Sequence, residues 1–285
     1  MISTKIKFAT LFVCCLLVMA CTENKPIIPC LSCEDNTVPT EPNDVLKKVL
    51  MEEFTGVRCV NCPQAKTEIE NLQSEGVFGN KLVVVSYHAG FFSRPYPQSN
   101  QDFQTSQGNE ILSFLDEPIG FPSGVINRKK FSGEDDLQIE QFASWGGFVA
   151  QELEEPALLA INMETTFNVD NRVVNISVNL SPVQDISEDL NLSVLLIENE
   201  VADVQLTPDG IIDNYVQGHV FRTMISNTFG DPINEPLSAG QSISSIFSYT
   251  LPNEWRAENI KVIAFVHHRN PIKEVFQAEE IPLLE

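Results

Sequence analysis

The sequence of 285 residues predicts an α/β domain followed by an all-β domain. A strand–helix–strand pattern occupies Val45–His88, and its second strand is apolar almost throughout, which is typical of strands buried on both faces of a parallel sheet. After Pro156, strand-length apolar segments separated by turn residues replace the helical periodicity. The hydrophobic fraction of 43% and the charged fraction of 20% indicate a globular chain, and the length corresponds to about two domains.

The first twenty residues have the pattern of a signal peptide. Basic residues precede an apolar run at Phe8–Met19, which is shorter than the roughly 20 residues of a membrane-spanning helix. The run ends in the letters LVMAC, which close at Cys21 and resemble a bacterial lipobox. The resemblance implies cleavage before Cys21 and its modification by acyl chains such as palmitate, which anchor a protein stably to a membrane. The alternative is an ordinary signal peptide with cysteines placed by chance.

Residues 21–44 are rich in proline and polar residues and show no hydrophobic period, so they predict a flexible tether between the lipid and the first domain. This segment contains one CxxC pair, Cys30 and Cys33. No strand or helix frames the pair, so we favour a small loop disulfide or idle thiols. A second redox pair is the alternative.

The first domain is predicted over residues 45–155. Its first strand is Val45–Phe54 and its second is Lys81–His88. The intervening helix is indicated by apolar residues on one face: Ala65, Ile69 and Leu72. The elements that follow are a short helix around Ile111–Leu115, a strand at Val125–Arg128 and a helix at Asp135–Leu153.

The second domain is predicted over residues 156–285. About seven strand-length segments occur there without a convincing amphipathic helix, and turn residues such as Pro208-Asp209-Gly210 separate them. This pattern predicts a β-sandwich of immunoglobulin-like type.

The second CxxC pair, Cys59 and Cys62, is the strongest candidate for chemistry. It follows a buried strand and is predicted to place Cys59 at a helix N-terminus, where unpaired N–H groups lower the pKa of a thiol. Cys62 lies one turn further on and is placed to resolve a mixed disulfide. Arg58 adds a neighbouring positive charge. Such pairs can be oxidised outside the cytoplasm.

Residues 50–66 (LMEEFTGVRCVNCPQAK) resemble the thioredoxin superfamily, and the resemblance extends over about residues 45–153. It implies that Glu53 is a buried carboxylate that relays protons for Cys62. It also implies that Pro122, which lies between a helix and a strand, is a cis-proline opposite the cysteines. The sequence departs from thioredoxins in the dipeptide between the cysteines, Val60-Asn61, and in a final strand that is short or missing.

Glu52 and Glu53 are adjacent and must point to opposite faces of a strand. This alternation allows one carboxylate to be exposed and the other buried. The spacing from the cysteines favours Glu53 as the buried one, with a raised pKa suited to proton transfer.

Several segments resemble the outer-membrane lipoproteins of the twenty-eight-kilodalton type from the Bacteroidota. The segments are EEFTGVRCVNCPQA, the YH after the second strand, GFPSGVINR and HVFRTMISNTFGDPI. The resemblance implies a thioredoxin-like domain followed by a β-rich domain in a lipoprotein of the cell envelope. The family implies a location, the outer membrane, more than an activity.

The charge restricts the partners. The chain has 39 Asp+Glu against 18 Lys+Arg, a formal net charge of −21, and nucleic-acid binding requires a clustered basic surface. Nucleic acid is therefore not an expected partner. The expected partners are the membrane, reached through lipid on Cys21, and a protein that has yet to be identified.

Three functions agree with the sequence. The first is thiol–disulfide exchange through Cys59 and Cys62, which would make the protein a thiol–disulfide oxidoreductase. The second is a non-enzymatic binding or scaffold lipoprotein with a structural Cys59–Cys62 disulfide. The third and least favoured is copper handling, or zinc binding, through Cys59, Cys62 and His88, since soft thiolates select these ions. His88 is otherwise expected to be a surface histidine, and no cofactor is expected.

Overall fold

The structure consists mainly of β-strands, with few helices. The computed structural model describes residues 45–284, so the predicted signal peptide and tether, with Cys21, Cys30 and Cys33, lie outside the described residues. The strands are β1 Val49–Thr55, β2 Leu82–His88, β3 Ser123–Ile126, β4 Leu159–Asn168, β5 Val173–Pro182, β6 Leu190–Glu198, β7 Val201–Thr207, β8 Gly210–Gln217, β9 Val220–Met224, β10 Asp231–Pro232, β11 Ile243–Thr250, β12 Ile260–His268 and β13 Val275–Pro282. The helices are α1 Cys62–Leu72, α2 Ser106–Phe114 and α3 Trp145–Glu152. Within residues 45–284, no helix is both long and apolar enough to cross a membrane.

The predicted strand–helix–strand unit is confirmed. β1 and β2 are parallel neighbours, and α1 connects them. Every residue of both strands is buried, because alternate side chains enter two different cores. Leu50 and Phe54 pack on one face with apolar residues of α2, whereas Val49 and Met51 pack on the other face with α1 and α3.

One eight-stranded sheet extends through both halves of the chain. Its order is β13-β12-β6-β9-β2-β1-β3, and β10 pairs with β6. The two halves meet where β9 lies parallel to β2, at the pair Ser86 and Val220. All described residues, 45–284, fall within one compact unit. The two-domain layout with a boundary at Glu155 is therefore not confirmed, because strands from the second half complete the sheet that β1 and β2 begin.

The strand-rich second half is confirmed. A separate three-stranded sheet, β11-β5-β4, packs against β6 and β12 through alternating aliphatic side chains such as Ile176 and Val262. This layering is sandwich-like, but one layer belongs to the large sheet that β1 and β2 begin, so an independent immunoglobulin-like sandwich domain is not confirmed. Residues 156–284 contain no α-helix, only a 3₁₀ turn at Ala257–Asn259.

The predicted helix at Asp135–Leu153 is wrong in its first part, because the helix begins at Trp145. A 3₁₀ turn at Phe142–Ser144 precedes it, and further back Ile139 forms an antiparallel bridge with Gly124 of β3. Their N–H···O distances are 2.8 Å and 3.0 Å, and the indole N–H of Trp145 donates to the Ile139 carbonyl oxygen at 2.9 Å. Edge pairing with β3 therefore outweighs helix formation in this segment.

Candidate functional site

Cys59 and Cys62 lie between the end of β1 and the start of α1, and a disulfide joins them. The helix begins at Cys62 rather than at Cys59, and Pro63 occupies its first turn. Cys59 lies in the preceding turn, where its N–H donates to the Gly56 carbonyl oxygen at 3.0 Å. The unpaired N–H groups at the helix N-terminus therefore lie nearer to Cys62 than the sequence predicts.

The turn that carries Cys59 requires a glycine at position 56. A Cβ atom on Gly56 would lie 2.3 Å from the carbonyl oxygen of Phe92, which is too close for any side chain. The same carbonyl oxygen accepts the N–H of Arg58 at 2.8 Å. The turn is thus packed directly against the segment after β2.

The β7–β8 hairpin packs against the turn that carries the disulfide. Cys59 and Cys62 are only 2% and 3% exposed. The hairpin contacts the CxxC turn through its backbone, since the N–H of Leu206 donates to the Val57 carbonyl oxygen at 2.8 Å. Its Gln205 side chain also donates to the Cys59 carbonyl oxygen at 3.0 Å. No local sequence pattern connects this hairpin with the cysteines, so its place at the site is not predicted from the sequence.

Glu53 is buried on β1, in agreement with the expectation, and is 3% exposed. Its neighbour in the parallel ladder is Ser86, whose hydroxyl donates to Glu53 Oε2 at 2.5 Å. The other carboxylate oxygen, Oε1, has no hydrogen-bond partner. Burial raises the pKa of Glu53 from its ordinary value of 4.5 to about 7, although Ser86 and the positive charge of Lys66 act in the opposite direction. The carboxyl group can therefore accept or donate a proton near neutral pH.

A small cavity connects Glu53 with the disulfide. Its volume is about 10 Å³, enough for about one water molecule. Polar side chains line much of it, and Cys62 contributes to the same wall. The lining includes Glu53, Cys62, Ser86, His88 and Gln217. The cavity thus places a titratable carboxyl group, a cysteine and room for about one water molecule beside one another.

The expectation that His88 is a surface histidine is wrong. His88 ends β2, is 3% exposed and packs against the ring of Phe103 with a centroid distance of 4.7 Å. Neither ring nitrogen has a hydrogen-bond partner. Burial lowers the pKa of His88 to about 3, and the positive charge of Arg222 acts in the same direction. The imidazole is therefore neutral at physiological pH.

The adjacent carboxylate, Glu52, is also buried, at 0% exposure. The expectation that one of the two carboxylates is exposed is therefore wrong. Both are buried because the sheet is covered on both faces. Arg128 binds Glu52 in a bidentate ion pair at 2.7 Å and 2.8 Å, and the Tyr87 hydroxyl donates to the same carboxylate at 3.2 Å. The guanidinium lies 4.8 Å from the centre of the Phe265 ring on β12. This pair therefore links the first half of the sheet to the second.

The peptide bond between Phe121 and Pro122 is cis, and Pro122 is buried. The next residue, Ser123, pairs with Phe54 near the end of β1 from which the CxxC turn leaves. The ring of Phe121 packs against that of Phe92 with a centroid distance of 5.5 Å. Pro122 therefore lies at the edge of the sheet that carries the disulfide, and a role in binding a substrate chain stays a prediction.

The guanidinium of Arg58 is fixed on the segment after β2. It donates to the carbonyl oxygens of Arg94 and Pro95, both at 2.7 Å, and lies 4.1 Å from the centre of the Tyr96 ring. These contacts hold the group in place without the cysteines. Its influence on the Cys59 thiol stays a prediction.

Metal binding gains no support from the geometry of the described residues. Among residues 45–284, no three or more His, Cys, Asp or Glu side chains are grouped so that they could hold a metal ion. In this form Cys59 and Cys62 are bonded to each other, so neither is a free thiolate for copper or zinc.

Comparison with known protein families matches residues 117–280 to the family described as outer membrane protein Omp28. The chain belongs to the Omp28 family. Membership locates this Omp28-family chain at the outer membrane, as the sequence resemblance predicts. The matched range includes Pro122 but not Glu53, Cys59 or Cys62, so membership says nothing about redox chemistry. A comparison with curated proteins finds no match.

Comparison with solved structures shows a shared fold. HBP35 of Porphyromonas gingivalis matches with a TM-score of 0.67 and 18% identity, over 84% of this chain and 76% of that chain. A domain of the outer membrane lipoprotein Omp28 from the same organism matches with a TM-score of 0.32 and 15% identity, over 45% of this chain and 88% of that chain. The second score is too low to support a conclusion about fold. These comparisons do not confirm membership of the thioredoxin superfamily.

Proposed function

We propose that this Omp28-family chain is an outer-membrane lipoprotein that exchanges thiols and disulfides with a protein partner through Cys59 and Cys62. Acyl chains on Cys21 would attach it to the membrane. The observation that carries the proposal is the cavity that Cys62 shares with Glu53. An unpartnered carboxylate oxygen beside a cysteine, with a pKa near 7, is an arrangement suited to proton transfer during disulfide exchange.

In the reduced protein, the Cys59 thiolate attacks one sulfur of a partner disulfide. The partner S–S bond breaks, a mixed disulfide forms, and the first partner sulfur leaves and takes up a proton. Cys62 then loses its proton to Glu53, and its thiolate attacks the Cys59 sulfur. The second partner sulfur leaves and takes up the proton that Glu53 received. The two cysteines lose two electrons and two protons, which the partner gains.

The same steps in reverse oxidise a partner dithiol. A partner thiolate attacks the Cys59 sulfur, and Glu53 returns a proton to the departing Cys62 thiolate. A carboxyl group that is partly protonated at neutral pH can serve both directions. The position of Pro122 at the same sheet edge suits a role in presenting backbone to the partner chain.

A second candidate function is a binding or scaffold lipoprotein in which the disulfide is structural. The observation that favours it is the near-complete burial of both cysteines, because buried disulfides exchange slowly with thiols in solution. In that case Glu53 would have no role in proton transfer.

The test is single-turnover reduction of insulin by the detergent-solubilised full chain, which is first reduced to completion with dithiothreitol and then freed of the reagent. We expect turnover that disappears in Cys59→Ser/Cys62→Ser and persists in the matched control Cys30→Ser/Cys33→Ser, which alters the other CxxC pair. Glu53→Gln should slow turnover, whereas the buried carboxylate variant Glu152→Gln should not. Equal turnover in the two double variants would contradict the proposal.

A further inference from the structure

We propose that the β7–β8 hairpin determines which thiols reach the Cys59–Cys62 disulfide, and that Gln205 is the positioning residue that keeps it closed. The inference rests on the proposed function, because it concerns access to the same site. The closed hairpin excludes small thiols in solution. Exchange then occurs only with a protein dithiol or disulfide that displaces the hairpin.

The hairpin is a separate element. Its strands pair with each other in a two-stranded sheet and with neither of the larger sheets. It contacts the site through the Leu206–Val57 backbone hydrogen bond and through Val201 and Val204, which pack with Val57 and Phe103. Isolated two-stranded hairpins are marginally stable, so such an element can open without unfolding the rest of the chain.

Gln205 attaches the hairpin to the CxxC turn. Its side-chain nitrogen lies 3.0 Å from the Cys59 carbonyl oxygen, 3.3 Å from that of Gly56 and 2.9 Å from that of Leu206. The amide has only two N–H donors, so these three acceptors share them. Its oxygen accepts from Gln217 at 3.0 Å, on the other strand of the hairpin. One buried amide therefore holds both hairpin strands against the turn.

Asp203 forms an independent attachment on the same strand. It is fully buried, and its carboxylate accepts the backbone N–H groups of Asn100 at 3.1 Å and Gln101 at 3.0 Å. These residues belong to the segment between β2 and α2. The hairpin is thus fixed at two places, by side chains that contact different parts of the chain.

Closure has a chemical consequence. A small dithiol reduces the disulfide when its thiolate attacks one cysteine sulfur, the Cys59–Cys62 bond breaks, and its second thiol then releases a cyclic disulfide. The two cysteines gain two electrons and two protons, which the small dithiol loses. Because both cysteines are at most 3% exposed, this attack requires movement of the hairpin.

The experiment measures reduction of the detergent-solubilised full chain by excess dithiothreitol. Samples are quenched with N-ethylmaleimide, and mass spectrometry of the peptide that contains both cysteines gives the rate. Gln205→Ala and Asp203→Ala loosen the two attachments. Gln277→Ala is the matched control, because Gln277 is also buried and its side chain hydrogen-bonds to backbone groups. It donates to the Leu46 carbonyl oxygen and accepts from the Lys48 N–H, both at 2.9 Å.

We expect the wild type to be reduced more slowly than the chain unfolded in guanidinium chloride. Gln205→Ala should accelerate reduction on the order of tenfold, the effect of losing about one net hydrogen bond. Asp203→Ala should accelerate it as well, and Gln277→Ala should not. Wild-type rates in both hairpin variants, or equal acceleration in Gln277→Ala, would overturn the proposal.

The same variants separate this inference from the proposed function. Insulin turnover by the wild type, with unchanged dithiothreitol rates in the hairpin variants, would refute the role of the hairpin and leave the exchange activity standing. Faster reduction of Gln205→Ala, with no insulin turnover in any variant, would support the hairpin and refute the exchange activity.

Discussion

Replacing Glu53 by glutamine should change the pH dependence of stability in a defined direction. The folded protein holds the pKa of Glu53 at about 7, against an ordinary value of 4.5, because the carboxyl group is buried. Between these two pH values the folded state binds a proton that the unfolded state does not. The contribution of Glu53 to stability is therefore fully present below pH 4.5 and is lost as the pH rises through 7.

The magnitude follows from the pKa difference. The interval from 4.5 to about 7, at 1.36 kcal/mol for each pKa unit, corresponds to about 3 kcal/mol. The group is 3% exposed, so solvent screening reduces this figure little. Glutamine cannot ionise. We therefore expect Glu53→Gln to match the wild type near pH 4 and to exceed its free energy of unfolding by about 3 kcal/mol above pH 8.

Urea unfolding at a series of pH values from 4 to 8.5 measures this difference. The readout is variant minus wild type, because the buried histidines also titrate and shape both curves. Glu152→Gln is the control, since its carboxylate pairs with Lys129 and its neutralisation should bring no gain at high pH. A Glu53→Gln variant whose stability relative to the wild type is equal at pH 4 and pH 8 would show that folding does not raise the pKa of Glu53.

Three further changes test other parts of the structure. Arg128→Leu should lower the free energy of unfolding by about 3–5 kcal/mol, because it leaves a fully buried carboxylate without its partner; a loss below about 1 kcal/mol in urea would contradict this. Gly124→Ala should lower the free energy of unfolding by about 1–3 kcal/mol, since its Cβ would lie 2.7 Å from the Trp145 ring. Gly147→Ala has open space around its Cβ and should be neutral or stabilising. Equal melting temperatures of the two variants would contradict this prediction. Burial lowers the pKa of His88 from 6.5 to about 3, so between these pH values the unfolded state binds a proton that the folded state lacks, and wild-type stability rises with pH. His88→Phe should therefore exceed the wild type in free energy of unfolding most near pH 4 and lose that advantage by pH 7.5. An excess that does not change with pH would contradict this prediction.

Local patterns predicted the elements around the site. The apolar runs of β1 and β2 and the spacing of Ala65, Ile69 and Leu72 are short-range signals, and the strand–helix–strand unit follows from them. The burial of Glu53 followed from its position in a recognised motif. The cis bond before Pro122 followed in the same way.

Contacts between residues far apart in the chain account for the features that local sequence patterns do not predict. Glu52 is buried in an ion pair with Arg128, which lies 76 residues away, and His88 packs against Phe103 and lines the same cavity as Gln205 of the hairpin. Gln205 lies 146 residues from Cys59, and nothing in its local sequence marks it as part of the site. The continuous sheet depends on one parallel contact between β2 and β9, which periodicity within either segment cannot reveal.

The reduction potential of the Cys59–Cys62 pair decides whether the disulfide exchanges with a partner or is structural. The full chain is equilibrated with dithiothreitol buffers for long enough that hairpin opening does not limit the result, and the thiol fraction of the peptide is measured by mass spectrometry. An exchanging pair should have a potential between about −300 and −120 mV, the range above that of inert structural disulfides. A value below about −300 mV would contradict exchange and leave the structural role of the disulfide as the better account.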